Sequence, residues 1–429
     1  MIVIVASIVF TTFTDYRYAL IILLAYGYFL FFIGNILNIN VPVGVPFDLL
    51  LFTIFLAVLI KNNFSTSIPR LETNPYKTPL GIILLIWAGF DFLTIFNPLT
   101  YGLYLGVPPI RVTLTFVLGF YIFYQASTSY SFIKLFIIAF LALSILGGLY
   151  GLKQEFIGLA DWEWKWLTSD PRRYSLFYQW GRIRKWSFFS DVSTFGILMS
   201  FSAISCFILM LGPFKRVYRI TALVGGVVMS LAMSYSGTRT AVAMIPLGLA
   251  IYFMLNMTNR ITIGIAIGTL VVFLAVMYGP FYGPTFTRIR STFNSDDPSL
   301  DFRGYKRKKL QEYVMSHPLG GGLGTANETA GRLSSTYDPD NGYLRTALDK
   351  GFPGLLLQFL FFFTILFTAI EAYFSCKNQK IKFIYASFIG SFFAISVAQF
   401  FQDAIEQKPT YYIITAYLAF IVRLKDYDS

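Results

Sequence analysis

The sequence has few of the residues that bind metals or form disulfides. Its 429 residues include two cysteines and one histidine. Cys206 lies inside an apolar run and Cys376 lies beside Lys377, so we expect neither a disulfide nor a cysteine metal site. His317 is the only imidazole and cannot build a histidine zinc cluster by itself. The composition therefore predicts a mechanism that uses no metal and no other cofactor.

Charged residues are also scarce. Only 13% of the chain is charged, 56% is hydrophobic, and the mean hydropathy is +0.62. Apolar runs recur from one end to the other, which excludes separate soluble cores. The runs Gly81 to Phe90 and Leu355 to Phe367 are apolar on every face, unlike the alternating strands of a β-barrel. The predicted fold class is all-α, with residues 1–429 forming one polytopic membrane domain.

Prolines, glycines, asparagines and charges divide the apolar runs into about twelve transmembrane helices. Met1 to Phe13 is short for a bilayer crossing, and it is either a thirteenth span or a helix lying in the interface. The twelve predicted spans are Tyr18 to Ile36, Phe47 to Ile60, Pro79 to Phe96, Val112 to Ala126, Phe132 to Phe156, Asp191 to Leu211, Ile220 to Tyr235, Thr240 to Met257, Ile261 to Tyr278, Leu355 to Tyr373, Phe383 to Ala404 and Tyr411 to Val422.

The positions of lysine and arginine predict the orientation. Short loops that contain Lys61, Lys215 and Lys377 fall on one side of the predicted topology, which we expect to be cytoplasmic. Residues 158–190 and the larger segment 280–354 then form two outward-facing loops. The formal net charge of +12 is scattered over many loops, so the expected partner is anionic membrane lipid rather than nucleic acid.

The first outer loop carries cations that break this bias. They indicate either an anionic ligand or the tolerance of long loops to charge during insertion. These residues are Arg172, Arg173, Arg182, Arg184 and Lys185.

An arginine lies where two predicted spans meet at the outer surface, in the turn Ser236-Gly237-Thr238-Arg239. A guanidinium at the membrane boundary needs an anion, and its planar fork fits a phosphate well. Arg239 is therefore a candidate phosphate ligand. The alternative is an arginine that extends to lipid headgroups while Gly237 makes a turn.

The second outer loop is a polar island, from about Pro280 to Gly354, that contains most of the reactive side chains. Asp301 to Met315 is predicted to be an amphipathic helix with Leu310, Tyr313 and Val314 on its apolar face. Arg303 lies at its start and could turn inward. The glycine-rich stretch Pro318 to Thr325 lacks the ending of a nucleotide P-loop and is either an anion-binding backbone or a tight bend.

Two side chains in this island are candidate general bases. Asp340 could accept the proton of a sugar hydroxyl, or it could cap a short helix that ends at Lys350 and Gly351. His317 is the rival base, or it caps the end of its own helix beside Pro318.

Tryptophans crowd the first outer loop, where interfacial anchoring explains most of them. Trp180 and Trp186 are candidates for stacking on sugar rings.

Several short motifs, taken together and in this order, resemble the O-antigen ligase and polymerase superfamily of bacterial surface polysaccharides. The resemblance covers roughly Arg182 to Leu356. The motifs are Arg184 to Asp191 followed by Phe195-Gly196, the Ser236-Gly237-Thr238-Arg239-Thr240 turn, Arg303, His317 to Gly324, Asp340 to Leu344, and Lys350 to Leu355.

The resemblance implies a membrane glycosyltransferase of the GT-C type with about twelve helices. It implies that Arg239 and Arg303, together with Arg184, hold the diphosphate of an undecaprenyl-linked glycan. Asn341 and Tyr343 would position the substrate beside the catalytic residues Asp340, His317, Arg239 and Arg303. Ligases that attach glycan to lipid A core usually carry a histidine where this chain has Asp340, and this departure favours a polymerase.

The resulting hypothesis is an inverting, metal-independent polymerase of lipid-linked repeat units in the bacterial inner membrane, with its site facing the periplasm or exterior. Its expected partners are the donor, a lipid-linked acceptor glycan and, as candidates, a chain-length regulator and a flippase. The alternatives are a ligase to lipid A core or protein, and a glycolipid transporter. No internal repeat supports a transporter, and only Asp91, inside the span Pro79 to Phe96, is left without an assigned role.

Overall fold

The structure is a computed structural model of the chain. It describes residues 11–12, 14–36, 44–64, 74–100, 103–179, 181–257, 260–280, 290, 298–326 and 341–428. Most of Met1 to Phe13 therefore lies outside the described residues.

Helices make up 80% of the structure, and the one strand pair among the described residues is a hairpin of β1 (Tyr178–Gln179) and β2 (Arg182–Ile183). The helices are α1 (Tyr16–Ile36), α2 (Gly44–Phe64), α3 (Pro79–Thr94), α4 (Leu103–Ala126), α5 (Tyr130–Phe156), α6 (Asp161–Thr168), α7 (Pro171–Phe177), α8 (Val192–Met210), α9 (Arg216–Ser236), α10 (Arg239–Leu255), α11 (Arg260–Tyr278), α12 (Pro298–Ser316), α13 (Gly342–Ser375), α14 (Gln379–Ala398) and α15 (Thr410–Arg423), with short 3-10 turns at Pro75–Lys77 and Leu424–Tyr427.

The predicted fold class is confirmed. Each of the twelve predicted spans falls on one of these helices. Among the described helices, eight are long and apolar enough to cross a membrane, and α3, α10 and part of α11 are shorter apolar helices. Two boundaries were wrong by several residues. Helix α4 begins at Leu103 rather than at Val112. Helix α14 ends at Ala398 rather than at Ala404, because Gln399 turns the chain into a loop that continues to Pro409.

Polar side chains at the helix starts explain several boundaries. The Asp191 carboxylate accepts hydrogen bonds from the N–H groups of Ser193 and Thr194, at 2.8 and 2.9 Å, and begins α8. Gly237 has φ 62°, a left-handed conformation that ends α9 and lets α10 start two residues later.

Helix α8 lies at the centre of the fold, and nearly all of its residues are buried. Its serines bond to neighbouring helices: Ser200 donates to the Ala241 carbonyl at 2.8 Å, and Ser205 lies 2.8 Å from the Ser391 hydroxyl. Small residues with hydroxyl groups let helices approach closely inside a membrane, where every polar group needs a protein partner.

The loops collect on two opposite faces. Residues 95–100, 157–191, 237–238, 317–326 and 399–409 form what we name the upper face, and contacts such as Asn97 Nδ2 to the Gly320 carbonyl, at 3.1 Å, join its segments. Residues 127–129, 211–215, 376–378 and 424–428 form the lower face, where Arg423 Nε donates to the Ser127 carbonyl at 3.1 Å. The reactive motifs lie on the upper face.

Candidate functional site

The turn between α9 and α10 is joined directly to the segment around Arg184. Arg184 Nε donates to the Ser236 carbonyl at 2.7 Å, and Arg184 Nη2 donates to Thr238 Oγ1 at 3.2 Å. The Lys185 N–H also donates to the Tyr235 carbonyl at 3.1 Å. Two motifs that are far apart in the sequence therefore form one arginine-containing corner, with Arg239 as the first residue of α10.

The start of α8 braces this corner. Thr238 Oγ1 donates to the Val192 carbonyl at 3.1 Å. A Cβ atom on Gly196 would lie 2.5 Å from Ser236 Oγ, so a larger residue would push the turn away from α8. The close packing of α8 against this turn therefore requires a glycine at position 196.

Other cations of the first outer loop have partners within the protein. Arg182 pairs with Glu155, and Lys185 Nζ lies 3.5 Å from the same carboxylate. The Arg173 guanidinium lies 4.3 Å from the ring centre of Trp166. Burial lowers the pKa of Lys185, and the Glu155 carboxylate opposes this shift. These three residues stabilise the loop and need no anionic ligand.

A polar cavity of about 280 Å³ opens beside the arginine corner. Thr194 Oγ1 lies 2.5 Å from both Asp191 Oδ2 and Gln407 Oε1, which connects the start of α8 to the cavity wall. The wall is built from α4, the glycine-rich loop, the first turns of α13 and the 399–409 loop. Its described residues are Pro108, Pro109, Val112, Gly324, Ala326, Arg345, Thr346, Asp349, Lys350, Asp403, Glu406 and Gln407.

Two cations of the cavity wall are neutralised by carboxylates. Lys350 Nζ lies 2.6 Å from Asp91 Oδ1, and both side chains are buried. Thr113 Oγ1 donates to the other Asp91 oxygen at 2.6 Å. Arg345 Nη1 lies 2.9 Å from Asp403 Oδ2. The position of Asp91 inside a span is thereby explained: it is the counter-ion of Lys350.

The glycine-rich loop docks on the break in α13. Gly351 has φ 65° and ψ −163°, so the short helix that begins at Gly342 ends there and the spanning part of α13 starts. The N–H groups of Gly321 and Gly322 donate to the carbonyls of Leu348 and Asp349, at 2.8 and 3.0 Å. Of the two interpretations of Pro318 to Thr325, an anion-binding backbone or a tight bend, the tight bend is correct.

The same loop also holds a carboxylate. The Ala326 N–H donates to Asp349 Oδ1 at 2.8 Å, and the Gly324 N–H bonds to the same carboxylate. The backbone N–H groups of this loop therefore bond to Asp349 and to the end of the short helix. The alternative, a backbone that binds an external anion, was wrong for Gly321, Gly322 and Gly324, because their N–H groups already have these partners.

Glu406 differs from the other charged residues of the cavity. Burial and, to a smaller extent, the Asp403 carboxylate raise the pKa of its carboxyl to about 7 against the opposing effects of Lys350 and Arg345. Within the described residues its carboxylate has no hydrogen bond or ion pair. Glu406 lies outside every predicted motif, and no sequence pattern predicted that it lines one cavity with Arg345, Asp349 and Lys350.

The predicted bases and positioning residues lie in several places. Asp340 is outside the described residues. The described N-cap of α13 is Asn341, whose Oδ1 accepts from the N–H groups of Tyr343 and Leu344 at 2.9 and 3.1 Å. The Tyr343 hydroxyl donates to the Ser396 carbonyl at 2.7 Å. Neither Asn341 nor Tyr343 is among the described residues of the cavity wall.

The other two predicted residues lie on α12 and directly after it. This helix spans Pro298–Ser316, so the predicted helix is confirmed, and its Leu310 and Val314 are buried. Arg303 is in its second turn. His317 follows its C-terminus, where the imidazole stacks on Tyr313 with ring centres 4.2 Å apart and Nδ1 lies 3.1 Å from the Tyr313 carbonyl. His317 is not among the described residues of the cavity wall, and its contacts fit a helix terminus.

Trp186 belongs to the core of the first outer loop. It is 1% exposed, and its ring centre lies 5.0 Å from Phe177 and 5.5 Å from Trp166. The suggestion that Trp186 stacks on sugar was wrong, because its faces contact protein. Trp180 lies outside the described residues.

Substitution of Trp186 by alanine should therefore destabilise the protein. Removal of a buried tryptophan leaves a cavity and costs about 3–5 kcal/mol. We expect Trp186→Ala to lower the thermal unfolding temperature of the purified protein, measured by intrinsic fluorescence. Trp164→Ala is the matched control, since Trp164 is 42% exposed in the same loop. Equal unfolding temperatures for both variants would contradict the core assignment.

Helices of this length and composition define an all-α, multi-pass membrane protein. Within it, residues 224–359 match a family described as O-antigen ligase, so the recognition of the O-antigen ligase and polymerase superfamily is confirmed. The matched segment contains the α9–α10 turn, α12, the glycine-rich loop and the first half of α13. No curated protein matches the chain.

The matched segment supports an O-antigen ligase- or polymerase-type function in general. The family implies an enzyme of the broad glycosyltransferase and ligase kind that acts on lipid-linked glycans. Arg184 and Glu406 lie outside the matched segment but contact the same corner and cavity as residues within it.

Proposed function

We propose that the protein is an inverting polymerase that joins undecaprenyl-diphosphate-linked oligosaccharide repeat units of a bacterial surface polysaccharide. The observation that carries this proposal is the pair of hydrogen bonds from Arg184 to Ser236 and Thr238, which unites two arginine motifs at one corner beside a polar cavity. Such an arrangement suits a diphosphate group bound at the corner and a sugar bound in the cavity.

The proposed chemistry depends on cations at the leaving group. A lipid diphosphate leaves with negative charge growing on its bridging oxygen, and a guanidinium that strengthens its contact as this charge grows lowers the barrier. Arg239 is the first candidate for this role. Arg184 orders the turn that carries Arg239, and Arg303 is a further candidate ligand by its resemblance to the family motif.

The acceptor must be oriented for attack from the opposite side of the anomeric carbon. A fixed position and a nearby base suffice when the leaving group is good. One displacement inverts the configuration at this carbon. Asp340 remains the base predicted from the motif, with His317 second.

The distribution of basic residues supports an inner-membrane location with the site outward. The lower face carries Lys215, Arg216, Lys377 and Lys380, as expected for cytoplasmic loops. The upper face, with the arginine corner and the cavity, would then be periplasmic or extracellular. The whole chain would form one membrane domain, and residues 158–190 and 280–354 would be its two outward loops.

Reconstitution tests the polymerase proposal. The purified full-length protein in liposomes, given undecaprenyl-diphosphate-linked repeat units from its host and no other acceptor, should produce a ladder of longer lipid-linked glycans on a gel. Product that forms only when lipid A core or an acceptor protein is added would instead identify a ligase. Movement of the glycolipid across the bilayer without any new glycosidic bond would identify a transporter and overturn the proposal.

A further inference from the structure

We infer that the polar cavity binds the terminal sugar of the acceptor glycan and that Glu406 takes the proton from its attacking hydroxyl. This inference rests on the proposed polymerase function, names a second subsite for it, and assigns to Glu406 the role of general base that the motif by itself gives to Asp340 or His317.

The backbone around Glu406 is held on both sides. Gln399 Oε1 accepts hydrogen bonds from the N–H groups of Ala404 and Ile405, at 2.8 and 3.2 Å. On the other side of Glu406, Gln407 Oε1 lies 2.5 Å from the Thr194 hydroxyl. The Gly342 N–H donates to the Gln399 carbonyl at 2.9 Å, which ties the loop to the start of α13. A base must be held in position to act on a substrate, and this loop meets that requirement.

The carboxylate of Glu406 is available to a substrate. The residue lines the cavity and is partly accessible through it. Lys350 pairs with Asp91, Arg345 pairs with Asp403, and Asp349 accepts from the Ala326 N–H. Among the described residues, Glu406 is thus the charged group of the cavity wall that has no hydrogen bond or ion pair. A polar group in this position is costly unless something else bonds to it, and a sugar hydroxyl could do so.

The charge of the cavity favours a neutral sugar over a phosphate. Its described wall has three carboxylates, on Asp349, Asp403 and Glu406, and two cations, on Arg345 and Lys350. A diphosphate placed here would meet excess negative charge, whereas hydroxyl groups can donate to carboxylates and accept from the cations. The donor diphosphate belongs at the arginine corner, and the acceptor belongs in the cavity.

The two subsites meet at the start of α8. The Val192 carbonyl accepts from Thr238 at the arginine corner, and Thr194 contacts Gln407 at the cavity wall. Residues two positions apart on one helix therefore contact both subsites. This short connection fits a reaction in which the acceptor oxygen must approach the carbon attached to the donor diphosphate.

The acceptor oxygen forms a bond to the anomeric carbon of the donor, the bond from this carbon to the diphosphate oxygen breaks, and its electron pair remains on the diphosphate. The proton of the hydroxyl moves to a Glu406 carboxylate oxygen. A pKa of about 7, raised by burial and by Asp403 and Asp349 against the opposing effects of Lys350 and Arg345, suits a base that works near neutral pH.

The test uses the full-length protein in liposomes with undecaprenyl-diphosphate-linked repeat units. Glu406→Gln, which keeps the shape of the side chain but removes the base, should lower the initial rate of ladder formation by about 100-fold. Glu406→Asp should retain a larger part of the rate. Glu371→Gln is the matched control, because Glu371 lies in α13 toward the lower face and accepts a distant contact from Lys425 at 4.0 Å.

A binding measurement separates this role from folding. Glu406→Gln should bind undecaprenyl diphosphate as tightly as the wild-type protein, since the diphosphate is assigned to the arginine corner.

The wild-type rate should rise about tenfold between pH 6 and pH 8, as the base with pKa about 7 loses its proton. The residual rate of Glu406→Gln should lack this rise.

Three results would overturn the inference while leaving the polymerase intact. They are a Glu406→Gln rate within twofold of the wild type, an unchanged pH profile in this variant, or loss of the rate only in Asp340→Asn. A wild-type protein that makes no ladder would instead refute the proposed function itself, so the two failures are distinguishable.

Discussion

Replacement of Arg239 by alanine is expected to lower the initial rate of glycan polymerisation by about 100- to 1000-fold. Loss of one preorganised donor to a developing negative charge typically has an effect of this size. Arg239 begins α10 at a corner that Arg184 and Thr238 hold together, so the remaining structure should fold without its guanidinium. The measurement is the rate of ladder formation in liposomes, with release of undecaprenyl diphosphate as a second readout.

Two further variants define what the guanidinium contributes. Arg239→Lys keeps the charge but loses the planar fork, so it should recover only part of the rate. Arg172→Ala removes an exposed arginine from α7 on the same face and should behave as the wild type. A wild-type rate in Arg239→Ala, with the protein correctly folded, would remove Arg239 from the diphosphate site.

The second large effect concerns stability. Asp91→Leu should destabilise the protein by about 3–5 kcal/mol, because it leaves the buried Lys350 ammonium without its counter-ion. Lys350→Met should have a similar effect, since the Asp91 carboxylate would keep only its bond from Thr113. Both single variants should unfold at lower temperature than the wild type in the same detergent.

The double variant isolates the ion pair. Asp91→Leu combined with Lys350→Met replaces both charges by apolar groups of similar size, and it should recover most of the lost stability. The control is Glu371→Leu combined with Lys425→Met. It removes an ion pair at the surface and should change the unfolding temperature little. Additive losses in the Asp91 and Lys350 double variant would mean that the two residues stabilise the fold independently.

The arginine corner was largely predictable. Ser236 to Arg239 is a turn between two apolar runs, and Arg184 stands in a polar segment where topology gives no reason for a cation. The resemblance to a family implies that both residues hold one diphosphate, and this role stays a prediction. The hydrogen bonds from Arg184 to the turn bring the two motifs together, although no sequence rule predicts that Arg184, rather than Arg182 or Arg173, makes them.

The cavity was not predictable in the same way. Arg345 and Asp349 stand four residues apart, a spacing that places them on one face of a helix, but the same pattern occurs on many solvated helices. Glu406 lies in a short loop with no motif. The Asp91 and Lys350 pair joins α3 to α13, and only the packing of those helices brings the two charges together.

The sequence by itself determined the all-α membrane fold, the approximate ends of its spans and the family, because these depend on local hydrophobicity and on short motifs. The boundary at Ala398, the cap at Asn341 and the role of the glycine-rich loop depended on which polar groups lay near one another. Tertiary structure alone decided the cavity, its ion pairs and the free carboxylate of Glu406 among the described residues. Buried charges must find partners wherever the packed helices place them, and residues distant in sequence supply those partners.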